Sequence, residues 1–125
     1  MSFSKEFGEH ILDMLAPLGP LTLKRLFGGA CINYGDATFA LMFDDTIYFR
    51  VDETNIERFK EAGSEPFTYT ARGKDVIVGS YYLLPDEALD DPDEMLDWAR
   101  GSLDAGLKVA RAKQAKKAKA NERKK

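Results

Sequence analysis

The chain has one cysteine and one histidine among its 125 residues, and that scarcity excludes a good deal. A single thiol forms no internal disulfide, so a stapled secreted scaffold is out and a reducing cytoplasm is the expected setting. Structural zinc needs about four sulfur or nitrogen ligands, and Cys31 and His10 supply two at most. Long apolar runs are missing too. The longest wholly apolar stretch, Phe39 to Phe43, is far short of the roughly 20 residues of a membrane-spanning helix. The opening MSFSKEFGEH holds two glutamates and no apolar centre, so it does not read as a secretory signal. Neither a GxGxxG nor a GxxxxGK[ST] phosphate loop occurs.

Charge is present, but it is unevenly placed. Residues 1–107 carry 9 Lys and Arg against 20 Asp and Glu, whereas residues 108–125 carry 9 against 1. The formal net charge of −3 therefore averages an acidic body near −11 with a basic tail near +8. At this length one domain is expected, with a core large enough to sustain it.

Periodicity divides the chain. Phe7, Ile11, Met14, Leu15 and Leu18 recur at three- and four-residue steps after Ser4, which predicts a first helix capped by that serine and stopped by Pro17 and Gly19-Pro20. From Lys24 to Val51 come three strand-like runs separated by Gly35-Asp36 and Asp44-Asp45, the pattern of an antiparallel meander. Alternation assigns Phe39, Leu41 and Phe43 to one face of the second strand, and Ile47, Phe49 and Val51 to one face of the third. Thr54 and Glu57 have the spacing of a capping box. The short helix they open turns Ile56, Phe59 and Ala62 inward and ends at Gly63. Pro66–Ala71 and Asp75–Leu84 read as a hairpin around Arg72-Gly73-Lys74, bent at Gly79, followed by one helical turn at Asp86–Leu89. Asp91, Pro92 and Glu94 start a last helix with an inner stripe of Leu96, Ala99, Leu103, Leu107 and Ala110. The fold class is α+β: one domain over residues 1–110, an antiparallel sheet of about five strands (meander plus hairpin), in the order α-β-β-β-α-β-β-α-α, packed by the first and last helices. Residues 111–125 form a Lys/Ala-rich tail, either a frayed helix or disordered.

Chemistry is harder to find. Cys31 and His10 are the one nucleophile–base pairing available; free cysteine is among the most buried residue types, so Cys31 reads as a small buried strand residue, with His10 on or near the polar side of the first helix. The acidic clusters Asp44-Asp45 with Asp52-Glu53, and Asp90-Asp91 with Asp93-Glu94, lack the ligand order of a calcium loop and suit turns and helix starts. Gly28-Gly29 after Lys24-Arg25 fits close backbone approach or a bulge where the first helix meets the sheet. The expectation is therefore no catalytic, cofactor or metal site. The tail has an obvious partner class: Lys108, Arg111, Lys113, Lys116, Lys117, Lys119, Arg123, Lys124 and Lys125 offer salt-sensitive, sequence-independent contact with nucleic acid. The same charge also suits a solvated end that lies against the acidic body. Membrane attachment is disfavoured, since no apolar face accompanies the charge.

Several short motifs occur together in order: Phe27-Gly28-Gly29, Phe39-Ala40-Leu41, Ile47-Tyr48-Phe49, Phe67-Thr68-Tyr69 and Ser80-Tyr81-Tyr82-Leu83-Leu84-Pro85. With Asp52, Phe59, Gly63, Pro66, Asp91 and Trp98 they resemble the N-terminal domain of the TfoX family of bacterial competence regulators, across Leu12 to Ala110. Departures fall at Ala30, Cys31 and Asn33. The resemblance implies an α+β domain and a link to transcriptional regulation of competence genes. In two-domain members it precedes a helical C-terminal domain; here the Lys/Ala-rich segment follows the last helix. It transfers no catalytic residue. The reading that results is a non-enzymatic, cytoplasmic regulatory module with a protein partner, the alternative being a nucleic-acid binder acting through its tail.

Overall fold

A computed structural model describes residues 5–26, 29–43 and 46–123, the side chains of Leu26 and of residues 117–123 excepted. The first helix, α1 (Lys5–Leu15), buries Ile11, Met14 and Leu15. Its predicted cap, Ser4, lies outside the described residues. A 3₁₀ turn at Ala16–Leu18 ends it where the sequence places Pro17. Strands β1 (Thr22–Leu26), β2 (Gly29–Tyr34), β3 (Ala37–Phe43) and β4 (Thr46–Arg50) follow, then α2 (Ile56–Glu61), β5 (Pro66–Ala71), β6 (Lys74–Leu83), α3 (Asp86–Leu89) and α4 (Pro92–Arg123).

The six strands form one antiparallel sheet in the order β1-β2-β3-β4-β6-β5. The meander and the hairpin are as the sequence predicts, but the sheet has one strand more than expected. The extra strand is β1. Its TLKRL shows no alternation, and pairing with β2 from Thr22↔Asn33 to Leu26↔Gly29 holds it in place. Arg72 and Gly73, with φ of 53° and 77°, make the mirror-image turn that matches strand twist in the β5–β6 hairpin. β6 serves two neighbours. Its first half pairs with β5, and Tyr81, Tyr82 and Leu83 pair with Arg50, Phe49 and Tyr48 of β4. Between the halves the register with β5 jumps from Phe67↔Val78 to Pro66↔Tyr82, so the predicted bend at Gly79 is a bulge.

A second bulge corrects the face assignment. Pairing of β2 with β3 steps from Asn33↔Thr38 to Ile32↔Ala40, which leaves Phe39 as an extra residue. Phe39 then shares the helix-covered side with Ala40 and Met42, while Leu41 and Phe43 turn to the opposite side. On β4, Ile47 and Phe49 point into the core, as the alternation predicts. The core joins Ile32, Ala40, Met42 and Phe49 of the sheet to Ile11 and Leu15 of α1, Phe59 of α2, and Met95 and Ala99 of α4.

Two helix expectations need correction. Thr54 and Glu57 do not form a capping box. The Asp52 carboxylate instead accepts from the backbone N–H and hydroxyl of Thr54, and Asn55 Oδ1 accepts from the Asp52 backbone N–H at 2.8 Å. This Asx-type turn leads into α2 without a side-chain cap on it; at the helix start the Asp52 carbonyl accepts from the Ile56 N–H at 3.0 Å. Ala62 is exposed rather than inward, because α2 has already ended; Gly63 (φ 80°) closes it, with Ser64 N–H on Phe59 C=O at 3.0 Å. In α4, Asp91 caps as predicted, its Oδ1 accepting from Asp93 N–H (3.1 Å) and Glu94 N–H (3.3 Å). The buried stripe is rotated: Met95, Trp98, Ala99, Ser102 and Ala105 face inward beside Leu96, and Leu103, Leu107 and Ala110 are half-buried. Gly106 permits this seating, since a Cβ there would lie 2.8 Å from the Thr38 carbonyl oxygen on β3. The helix runs unbroken for 32 residues, about 48 Å at 1.5 Å per residue.

Candidate functional site

The helices all pack on one side of the sheet, and the other side has a character of its own. Cross-strand pairing puts Cys31, Leu41, Tyr48 and Leu83 in one row on that side, with Arg50 opposite Tyr81 in the next. The Arg50 guanidinium donates to the Tyr81 hydroxyl at 2.9 Å. Phe67 of β5 stacks on Phe43 of β3 with ring centroids 5.0 Å apart and meets Tyr48 at 4.9 Å and Tyr69 at 5.9 Å. β3 and β5 are three positions apart in the sheet, about 14 Å in a flat one. The β5–β6 arm therefore curls over the helix-free face, and the bulge at Gly79–Tyr81 provides the bend. The result is a concave aromatic surface, part covered by the arm and part open. Leu41, Phe43, Tyr48, Val76 and Val78 are half-buried, and Tyr69 is 45% exposed.

Sequence reasoning missed this surface. The signal for it was the unbroken apolar run Phe39–Phe43, which marks a strand covered on both sides rather than one.

The structure separates the residues singled out for chemistry. Cys31 is buried on the helix-free side and His10 is exposed on α1 across the sheet, so the two do not meet. Burial pushes the Cys31 thiol above its ordinary pKa, with the Lys24 ammonium opposing. Its contact with Asn33 Oδ1 is a long 3.7 Å. This is the setting of an inert thiol, not an activated one. Gly29 does mark a close approach, but to β3 and not to the first helix: a Cβ would sit 2.3 Å from the Met42 carbonyl oxygen. Gly28 lies outside the described residues. Lys24 and Arg25 are exposed on the edge strand β1. Two open grooves flank the start of α4 instead, lined by Asp91, Glu94, Asp97 and Arg100 on one side and by Arg58, Glu87 and Trp98 on the other. Arg58 occupies its own groove, 3.9 Å above the Trp98 ring and 2.7 Å from Asp97.

Structural work accounts for part of both acidic clusters. Asp91 caps α4, and Glu94 accepts from the Trp98 indole at 3.2 Å. Burial raises the pKa of Asp52, but the Thr54 hydroxyl and N–H together with Lys108 outweigh it, and the carboxyl titrates below its ordinary range. Asp44 and Asp45 lie outside the described residues. Among the described residues no three His, Cys, Asp or Glu side chains converge.

Of the tail cations, Lys108 reaches Asp52 at 3.3 Å, and Arg111, Lys113 and Lys116 are exposed along α4. Gln114 donates to Asp36 at 3.3 Å, so α4 still touches the β2–β3 turn at that point. Lys117, Lys119 and Arg123 continue the helix with side chains outside the described residues, as are Lys124 and Lys125. No described helix is long and apolar enough to cross a membrane.

Comparison with known proteins gives two findings. Residues 13–106, three-quarters of the chain, match the family model described as the TfoX N-terminal domain. The chain is also similar to Protein Sxy of Escherichia coli (strain K12), 27% identical over 96 residues that make up 77% of this chain and 46% of the relative. The chain thus spans about half the length of that relative.

Proposed function

The chain belongs to the TfoX N-terminal domain family, and from that premise we propose that it is a cytoplasmic, non-enzymatic regulatory module that works by binding a protein partner. One observation carries the reading: the helix-free face gathers Leu41, Phe43, Tyr48, Val76 and Val78, half-buried, beside Tyr69 at 45% exposure. Apolar and aromatic side chains left part open on a curved sheet, within an acidic body, suit a contact surface with a desolvated centre and a charged rim. The nearby ionisable groups are already engaged. Arg50 is held by Tyr81, and the Cys31 thiol is kept protonated by burial.

The test is affinity capture from the source cell with the full chain, a folded Leu41→Glu variant and the chain truncated after Leu107. The reading predicts a protein retained by the full and truncated chains and lost with Leu41→Glu. Equal retention by all three would remove the face from the account. Turnover of a substrate that Cys31→Ala abolishes would replace a binding role with an enzymatic one.

A second reading has its own support: Arg111, Lys113 and Lys116 are exposed on a helix that continues past the body. Contact with nucleic acid through this segment predicts affinity that falls steeply with salt and vanishes on truncation after Leu107.

A further inference from the structure

Strand register sorts the charges of this acidic body unevenly. The six described strands hold one acidic residue, Asp75, against four basic ones, Lys24, Arg25, Arg50 and Lys74. Lys24 stands opposite Cys31, in the row that Leu41, Tyr48 and Leu83 continue, and Arg50 stands opposite Tyr81 in the next. On the arm, Ala71↔Lys74 and Tyr69↔Val76 put Lys74 on the side of Phe67 and Tyr69. Asp75 takes the other side, where it accepts from the Thr70 hydroxyl at 3.0 Å. The helix-free face is thus cationic as well as apolar, although residues 1–107 carry 20 acidic residues against 9 basic.

Arg50 points to the chemistry of the occupant. It is half-buried, with its guanidinium 5.3 Å from the centre of the Tyr81 ring and its Nη1 donating to the Tyr81 hydroxyl at 2.9 Å. Arg58 and Lys108 each reach a carboxylate, Asp97 and Asp52, but among the described residues none reaches Arg50. A guanidinium carries five donors in a planar fork that matches a carboxylate or a phosphate. Tyr81 takes one and fixes the fork in place. A polyanion fits poorly, because a body near −11 repels it everywhere off this face. The Phe43 and Phe67 rings also stack on each other at 5.0 Å instead of lying open to bases. A short segment with one or two carboxylates keeps its charge beside the local cations, since screening confines such attraction to about 8 Å at physiological salt. Its apolar side chains have Leu41, Tyr48 and Tyr69 to cover.

We infer that the protein partner docks an acidic, apolar segment on this face. An Asp or Glu carboxylate of that segment pairs with Arg50, and the apolar side chains beside it lie on Leu41, Tyr48 and Tyr69. Lys24 on the β1 edge and Lys74 on the arm are the flanking cations. The inference rests on the reading of this face as a protein-contact surface and adds the charge of what it contacts. A basic segment of the same apolar content is rejected by the same three cations.

The test is selection from a random dodecapeptide library displayed on phage, with the full chain as bait, followed by fluorescence titration of the recovered peptides. Peptides with Asp or Glu beside Leu, Phe or other apolar residues are expected. Arg50→Gln should weaken them about tenfold. Lys24→Glu, at an exposed site that holds no packing, should weaken them about threefold with an unchanged circular dichroism spectrum. Lys60→Glu, an exposed cation on α2, should leave affinity unchanged. Peptides without a carboxylate, or peptides indifferent to both Arg50→Gln and Lys24→Glu, overturn this inference; if Leu41→Glu still releases them, the contact face itself stands. Recovery of no peptide that Leu41→Glu releases overturns both. Binding of oligothymidylate that Arg50→Gln weakens overturns the inference in favour of single-stranded nucleic acid.

Discussion

The two sides of this sheet are built from similar residues and put to different use. Beneath the helices, Phe39, Phe49, Ile32 and Met42 are fully buried in a core that takes side chains from all four helices. On the other side Phe43, Phe67, Tyr48 and Tyr69 pack on one another under a two-stranded arm, and several stay part exposed. The difference shows that apolar content alone does not decide which face holds the fold. Cover does, since a side chain contributes in proportion to the area it loses to neighbours.

The sharpest way to break the comparison is to truncate one aromatic on each side. Phe49→Ala is expected to lower the free energy of urea unfolding by about 3–5 kcal/mol. Phe67→Ala, on the arm, is expected to cost about 1.5–3 kcal/mol. Equal losses would mean that the arm is as integral as the core. Gly29→Ala forces a methyl group against the Met42 carbonyl oxygen and Phe43 ring where β2 and β3 meet. An overpacking cost of about 1–3 kcal/mol is expected from the same titration.

Ser102 sharpens the helix-covered side from the opposite direction. Its hydroxyl is fully buried with no hydrogen-bond partner. Ser102→Ala is expected to raise stability by about 1 kcal/mol, because it removes a desolvated polar group; a loss measured by thermal unfolding would mean the hydroxyl is satisfied in solution. The smallest effect is on pH dependence. Asp52 titrates below its ordinary range in the folded chain, so its contribution is present above about pH 4 and is lost as pH falls through the lower folded value. Asp52→Asn should flatten stability against pH in that acidic window and leave the curve above pH 6 parallel to that of the wild type.

Much of the fold was legible because it rests on local rules. Asp91, Pro92 and Glu94 announce α4, and the turn residues Gly35-Asp36 and Arg72-Gly73 set the strand connections. What was not legible depended on register. A one-residue bulge at Phe39 moves Leu41 and Phe43 to the far side, and no alternation count reveals a bulge. β1 was missed because five residues without alternation become a strand only when β2 is there to pair with them. The contact face was hidden for the same reason: its residues come from β2 to β6 and meet only once the arm has curled over. Cys31 and Gly29 could be read in part, as a buried residue and a close approach, while the neighbour that Gly29 approaches could not.

The most direct measurement compares neighbours that point in opposite directions, Leu41 and Met42, each changed to glutamate and followed by urea denaturation. Met42 is fully buried beneath the helices and Leu41 is half-buried on the side without them. If one side holds the fold and the other is kept for contact, Met42→Glu should lose about 4 kcal/mol or unfold the chain outright. Leu41→Glu should stay folded with a loss of about 1–2 kcal/mol. Comparable losses at the two positions would contradict that division of labour.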